Sequence, residues 1–348
     1  MSRLAVVVFN LGGPDGPDAV EPFLFNLFND PAIIGLPGLL RTPLARFIAR
    51  RRAPIARGIY REIGGKSPLL EETRAQAEAL RRELAKAGGD EVGVFVAMRY
   101  WHPMSDETAR DVRAFAPDEI LLLPLYPQFS TTTTASSLKD WRRAAAEAGL
   151  TQPTRALCCY PTEPGLVKAA AELIAPGLEE AEAAGRPRLL FSAHGLPKKV
   201  VARGDPYQWQ VEETAAAIVR ALDRPGLDWV VCYQSRVGPL EWIGPSLEDE
   251  LTRAGEDETP VVVFPVAFVS EHSETLVELD MEYRKKAREL GVPDYVRVRT
   301  PGVHKDFIAG LARVAGIART DGLLCSATGG RLCPTKHACC PMGIGPGA

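Results

Sequence analysis

The chain has 348 residues, 46% of them hydrophobic and 24% charged, which is ordinary for a soluble globular enzyme, long enough for two domains, and apolar enough that no disulfide framework is needed. A net charge of −3 argues against a whole-molecule nucleic-acid binder, and no stretch approaches the roughly 18 apolar residues of a spanning helix. The first apolar run, 4–9, is short and stops at Asn10-Leu11-Gly12-Gly13-Pro14, so it reads as a strand and loop rather than a secretory signal. A cytoplasmic location is expected, and the seven cysteines should be reduced thiols or metal ligands.

Residues 36–66 come next, with eight Arg or Lys against one acid, Glu62. Within them Leu39, Leu40, Leu44, Phe47 and Ile48 alternate with Arg41, Arg46, Arg50, Arg51 and Arg52. Such a basic amphipathic stretch suits an anionic membrane surface, a lid over a binding site, or an ordinary surface helix. Beyond it, helical patterns at 71–87, 134–148, 166–184 and 212–222 alternate with short apolar runs at 92–97, 120–124, 188–191, 229–232 and 261–265. The runs have the character of strands buried on both faces, and their alternation with helices predicts parallel βαβ units. From Gly322 the chain is Gly-, Pro- and Cys-rich and fits neither helix nor strand.

A duplication is visible. The first strand enters Asn10-Leu11-Gly12-Gly13-Pro14 as a later one enters Ala193-His194-Gly195-Leu196-Pro197, and 121–126 is echoed by 261–268. The expected fold is α/β: two similar Rossmann-like domains, each a parallel sheet flanked by helices. The divisions are 1–160 (carrying the basic lip 36–66), 161–320, and a Cys-rich tail 321–348. Ligands of such folds bind beyond the carboxyl ends of the strands, where Asn10, Arg99, Tyr126, His194, Gln234 and Glu271 fall.

Three segments carry chemistry. Glu274, Glu278 and Glu282 are spaced by four behind His272. They remain neighbours on one helix flank, and a π-bulge would stack them nearly vertically. The column suits a divalent cation or departing protons, and equally a solvated acidic face whose first Glu complements the helix dipole. His194 follows a buried strand and is either a proton acceptor or metal ligand in a crevice, or a structural cap on a carbonyl. The hydroxyl-rich run Ser130-Thr131-Thr132-Thr133-Thr134 opens a helix and suits an anion. The glycines at 12–13 and 64–65 lack the dinucleotide spacing, so no nicotinamide site is expected.

Together with Tyr60-Arg61-Glu62-Ile63-Gly64-Gly65-Lys66-Ser67-Pro68, Met98-Arg99-Tyr100, 123–137 and 233–245, these segments resemble the ferrochelatase family in order and spacing, over about residues 4–315. The resemblance implies two Rossmann-like domains with a porphyrin cleft between them and insertion of Fe²⁺ into the ring. It makes His194 the metal-facing proton acceptor or iron ligand. Glu274 lies on the opposite side, supported by His272 and Glu271, with Glu278 and Glu282 continuing the acidic column. Tyr60, Ser67, Arg99, Tyr100 and Ser130 fall near the porphyrin edge and its carboxylates, and Leu11, Trp242 and Phe268 line the macrocycle. Relatives often carry Met where this chain has Leu11.

Some ferrochelatases hold a [2Fe–2S] cluster on C-terminal cysteines and one internal cysteine, and this tail is similar in kind. The expected ligands are Cys158, Cys325, Cys333 and Cys340, with Cys159 and Cys339 as alternatives; a loosely ordered reduced tail or structural zinc are the other readings. Cys232 reads as a core thiol. The partners implied are porphyrin and ferrous iron, a membrane surface at the inner face, and a second copy in a homodimer, with no nucleic acid. Protoporphyrin IX is the expected substrate, because 50–68 resembles the membrane-associated type. The alternatives are a coproporphyrin-specific enzyme, a cobalt chelatase, or a non-catalytic haem- or iron-binding protein.

Overall fold

The structure, a computed structural model, describes residues 2–236 and 240–343. Val237, Gly238 and Pro239 of the 233–245 motif, and 344–348 of the Cys-rich tail, lie outside the described residues. In chain order the first elements are β1 (Ser2–Asn10), α1 (Val20–Phe28), α2 (Gly38–Arg61), α3 (Leu69–Ala85), β2 (Asp90–Met98), α4 (Ser105–Phe115), β3 (Glu119–Pro124), α5 (Thr134–Glu147) and β4 (Thr154–Leu157). Then come α6 (Pro164–Ala181), β5 (Arg188–His194), α7 (Lys198–Ala202), α8 (Tyr207–Leu222), β6 (Asp228–Gln234), α9 (Leu247–Glu256) and β7 (Val261–Pro265). A π-helix (Glu274–Tyr283), α10 (Arg284–Glu289), β8 (Tyr295–Arg297), α11 (Lys305–Thr320) and β9 (Leu324–Cys325) complete the order.

The chain forms two compact units. Unit 1 comprises Met1–Tyr126, Ser130–Cys158 and Ala315–Cys325, and unit 2 comprises Pro127–Phe129, Cys159–Val314 and Ser326–Ala348. In unit 1 the strand order is β2-β1-β3-β4-β9 and each pairing is parallel. Ala5, Val7 and Phe9 of β1 join Ile120, Leu122 and Trp141 in one cluster, while Leu4, Val6 and Val8 are equally buried. Both faces of β1 are therefore covered, which is why its sequence is a continuous apolar run without alternation.

Unit 2 repeats the arrangement, with order β6-β5-β7-β8 and parallel pairing throughout. Leu189, Phe191 and Ala193 pack with α6 and α8, while Leu190, Val261 and Val263 pack with α9 and α10. Each fully buried Phe or Leu contributes about 1.5–3 kcal/mol. Matching β1 to β5, β2 to β6, β3 to β7 and β4 to β8 makes the strand orders identical apart from β9 at the edge of unit 1, so the duplication legible in the loops is a duplication of topology. Cys232 is fully buried in the second of these clusters, a core thiol as expected.

The tail departs from expectation. Leu324 and Cys325 form a strand, pairing with Ala156 and Leu157 at the edge of the unit 1 sheet. A two-residue strand has no periodicity to read, and it exists because β4 presents an edge of unpaired backbone groups. The four-residue β4 and three-residue β8 are likewise too short to carry a readable period.

Candidate functional site

In unit 2 the order β6-β5-β7-β8 reverses at β5, so the crevice beyond the carboxyl ends of β5 and β7 is the topological switch point where such sheets bind ligands. His194 is the last residue of β5, in register with Gln234 at the end of β6. The chain must pass close to its neighbours there: a Cβ on Gly195 would lie 3.1 Å from the Gln234 carbonyl oxygen and 3.3 Å from the Trp242 ring. From β7 the chain runs through Phe268 to the π-helix, whose first residue is Glu274.

Glu274 and His194 meet directly, Nδ1 to Oε2 at 2.9 Å. The expectation that they lie on opposite sides of a ligand is corrected: they form one hydrogen-bonded pair at one switch point, because the π-helix starts where β7 has just delivered the chain. Burial opposes charge on His194, but the charge and hydrogen bond of Glu274 outweigh it and raise its pKa above the usual histidine value. Burial likewise works against the Glu274 carboxylate, and His194 more than offsets this, holding its pKa well below the ordinary value. The pair shares its hydrogen bond through Nδ1, so each group favours the charged form of the other, and Nε2 is the ring nitrogen outside that bond.

One π-turn on, Glu278 accepts from the Ser235 backbone N–H at 2.9 Å, from Ser235 Oγ at 2.6 Å and from Gln234 Nε2 at 3.1 Å. Burial, then the charge of Glu274, push Glu278 up to about 7 against those donors. Ser235 has φ +59°, a left-handed conformation that turns its N–H and hydroxyl onto the same carboxylate. In the sequence Gln234 stands at a strand end, and both it and Ser235 lie in the 233–245 segment that carries the family resemblance, but neither position announces a bond to Glu278. Glu282, the next step of the column, is exposed. The ten-residue π-helix is far longer than the single-turn bulges usually seen, and its wide turns line up side chains spaced by four.

Glu271 and His272 are anchors of this helix. Glu271 accepts from Arg297 Nη1 at 2.8 Å, the Thr300 N–H at 2.9 Å and Thr275 Oγ1 at 2.6 Å. Burial raises its pKa, but Arg297 and these donors dominate and the net shift is downward. His272 is buried, tied through Nδ1 to the Ser270 carbonyl at 3.1 Å, with its ring 4.6 Å from that of Phe268. Trp242 is half-buried beside Gly195. Tyr207, at the start of α8, has its phenol pushed up first by burial and then by the Glu274 charge; nothing in its sequence neighbourhood pointed to it.

The remaining expected site residues lie in unit 1. Leu11 follows β1 and packs on its core. Arg99 is held by Asp30 Oδ2 and Ser136 Oγ, both at 2.8 Å, and Asp30 also accepts from the Tyr100 hydroxyl at 2.9 Å and from Ser136. Tyr100 and Tyr60 are buried in the cluster around α1 and α2. Ser67 is buried against Gly13, where a Cβ would come within 2.5 Å of it, so only glycine fits there. Ser130 is buried, its Oγ 2.9 Å from Thr132 Oγ1.

The cysteines form two neighbourhoods. In unit 1 the Cys158 N–H donates to the Cys325 carbonyl at 2.8 Å; burial, then Cys158, push the Cys325 thiol up to about 11. In unit 2 a hydrogen bond with Cys333, acting against burial, pulls the Cys340 thiol down to about 6. Cys159 is buried in unit 2, its carbonyl accepting from the Ala327 N–H. Cys339 turns its Sγ to the Arg203 carbonyl at 3.3 Å. Glu172, His304 and Asp306 form a further cluster, but Lys168 Nζ, 2.9 Å from Asp306 and 3.5 Å from Glu172, already supplies its cation.

The fold is one found in metal chelatases. SirB from Bacillus subtilis with Fe³⁺ matches with TM-score 0.55 at 10% identity, over 93% of this chain and 99% of that one. The sirohydrochlorin chelatase SirB from Bacillus subtilis subspecies spizizenii, in complex with cobalt, matches with TM-score 0.53 at 11% identity, over 92% and 97%. At such identity the likeness is one of fold alone. Sequence narrows it: the ferrochelatase family model matches residues 3–316. Ferrochelatase of Caulobacter vibrioides is 56% identical over 349 residues, 99% of each chain; that of Phenylobacterium zucineum is 56% identical over 339, 97% of each. The chain belongs to the ferrochelatase family.

Proposed function

We propose that this chain is a lyase that inserts ferrous iron into protoporphyrin IX to form protohaem. The observation that carries the reading is the His194–Glu274 hydrogen bond at a sheet switch point, continued by Glu278 along a π-helix. The porphyrin gives up two pyrrole protons and takes up Fe²⁺, a substrate here. His194 Nε2 faces the ring nitrogens and accepts protons as they leave, with Glu274 stabilising the imidazolium. Glu274 and His194 also receive iron as it sheds water, and Glu278 and the exposed Glu282 carry the path outward. Leu11, Trp242 and Phe268 supply apolar contact, and Tyr60, Ser67, Arg99 and Ser130 the polar rim. The Asp30–Ser136 network presets Arg99, and Tyr100 secures Asp30. Anaerobic incubation with Fe²⁺ and protoporphyrin IX is the test: the free-porphyrin spectrum gives way to that of haem, and an unchanged spectrum refutes the proposal.

A [2Fe–2S] cluster fits this chain's thiols. Within unit 2 Cys333 and Cys340 are hydrogen-bonded, and within unit 1 Cys158 and Cys325 are neighbours; each pair by itself offers the two thiolates that one iron of such a cluster takes. The Cys339 thiol is committed to the Arg203 carbonyl, which favours Cys340. When bound, such a cluster supplies iron–thiolate bonds that fasten the tail. Wild-type protein grown with ample iron and sulfur should contain both elements and lose them in Cys333→Ser; a colourless wild type lacking both removes the cluster.

For location, the reading is cytoplasmic and peripheral at a membrane. Among the described residues no helix is long and apolar enough to cross a bilayer. α2 buries Ala45, Ala49 and Ala53 and leaves Leu39, Phe47 and Ile55 more than 60% exposed among its arginines, the pattern of a helix lying on an anionic surface.

A further inference from the structure

Gln210 lies on α8, fully buried, outside the His194–Glu274 site and absent from every motif the sequence singled out. Its side-chain amide is used at both ends. Nε2 donates to Cys333 Sγ at 3.1 Å, and Oε1 accepts from the Phe129 N–H at 2.7 Å. Only this orientation satisfies both partners, because a backbone N–H needs an acceptor. The surroundings lock it in place. Thr214 Oγ1 donates to the Gln210 carbonyl at 2.8 Å and accepts from Gln128 Nε2 at 3.0 Å, and Gln128 also reaches the Val266 carbonyl at 3.3 Å. Phe129 is one residue before Ser130, where the hydroxyl-rich run begins, and Val266 is two residues before Phe268.

We propose that Gln210 is a positioning residue that couples the thiolate centre of the tail to the porphyrin-binding segment, through one amide shared by Cys333 and Phe129. The proposal rests on the cluster and porphyrin readings above. An N–H donor to a ligand sulfur stabilises the added negative charge of a reduced cluster, so it raises the reduction potential. The same side chain cannot shift toward or away from the sulfur without changing its hold on Phe129, because both partners and the amide are buried and closely packed.

Two variants, Gln210→Met and Gln210→Leu, remove the donor and the acceptor while keeping an apolar side chain of similar size. The cluster potential, read by redox titration of its absorbance and paramagnetic signal, should shift to more negative values in both. Porphyrin Kd, read by fluorescence, should rise about fivefold, the value of one hydrogen bond. Cys340→Ser, lacking the cluster, should raise Kd similarly, and Gln210→Met/Cys340→Ser should raise it no further than either change alone. An unchanged potential in both Gln210 variants, or Kd effects that multiply in the double variant, overturns the proposal. A wild type without iron and sulfide overturns it through the cluster reading instead, and analysis of the purified protein shows that before any variant is made.

Discussion

At the scale of single residues, the site divides into groups that exchange charge and groups that hold them. On the proposed function His194 and Glu274 belong to the first kind. His194→Ala should lower turnover by about 100-fold or more, the usual value of a positioned acid–base group, while circular dichroism and porphyrin binding stay near wild type. Turnover at the wild-type rate would remove His194 from the chemistry. Glu274→Gln should be impaired to a similar degree. Glu282→Gln should stay within about threefold, because Glu282 is exposed and makes a weaker, solvent-screened contribution. Equal rates for the two would reduce the column to a solvated helix face. Glu271 is of the second kind. Its folded pKa is lowered, so the stability it contributes is present above the ordinary value of 4.5 and is lost as pH falls through the folded value. Glu271→Gln should therefore cost roughly 1–3 kcal/mol at neutral pH, since it leaves the largely buried Arg297 with only its longer 3.3 Å ion pair to Asp280 among the described residues. The gap from wild type should close in denaturant titrations taken below the folded pKa; a gap independent of pH would mean the carboxylate charge is not what matters.

At the scale of elements, two helices have unusual faces. The π-helix presents Glu274 and Glu278 inward while Thr275, Val277 and Leu279 are buried, so its wide turn serves both packing and the acidic row. α2 is inverted over most of its length: Ala45, Ala49 and Ala53 face the protein while Leu39, Phe47 and Ile55 face outward, with Tyr60 buried near its C-terminal end. Small residues let a helix approach its neighbour closely, and α1 packs along it in the same cluster. The exposed apolar row then has no folding role, so replacing it should leave stability intact. Leu39→Asp/Phe47→Asp should keep the thermal midpoint within a few degrees and abolish co-sedimentation with anionic lipid vesicles, since burial of two such side chains is worth about 3–6 kcal/mol and the added charges are repelled. Undiminished sedimentation would mean that α2 does not lie on the membrane.

At the scale of the whole molecule, the C-terminal part of the chain belongs to each unit in turn. β9 adds to the unit 1 sheet. Beyond it, within unit 2, the Cys339 N–H donates to the Gly204 carbonyl and the His337 ring lies 5.7 Å from that of Trp209. Gly204 has φ +99°, and a Cβ there would sit 2.6 Å from the Ala338 nitrogen. Gly204→Ala is thus strained in backbone and contact alike. It should release the tail to limited proteolysis and lower iron and sulfide content, while Gly226→Ala, another positive-φ glycine but in a loop away from the tail, should not. A tail as protected in Gly204→Ala as in wild type would show that this contact does not hold it.

The sequence by itself determined the parallel α/β character and the repeat of strand–loop units, and it put forward His194, Glu274, Glu278 and Glu282 as candidates, because buried parallel strands must be continuous apolar runs and strand ends carry the polar groups a ligand would meet. It also placed Cys232 in the core. What only the tertiary structure decided were relations across long separations in the chain. His194 and Glu274 are 80 positions apart and meet because β5 and β7 are neighbours in the sheet. Ser235 reaches Glu278 because β6 and β7 flank β5 in the same sheet, and Gln210 reaches Cys333 across 123 positions. The preset of Arg99 by Asp30, the inward turn of the α2 alanines and the recruitment of Leu324 and Cys325 as a strand follow the same rule. Local sequence encodes which residues are buried or capped, but a hydrogen bond between distant side chains is set by sheet order and close packing, and those exist only once the chain has folded.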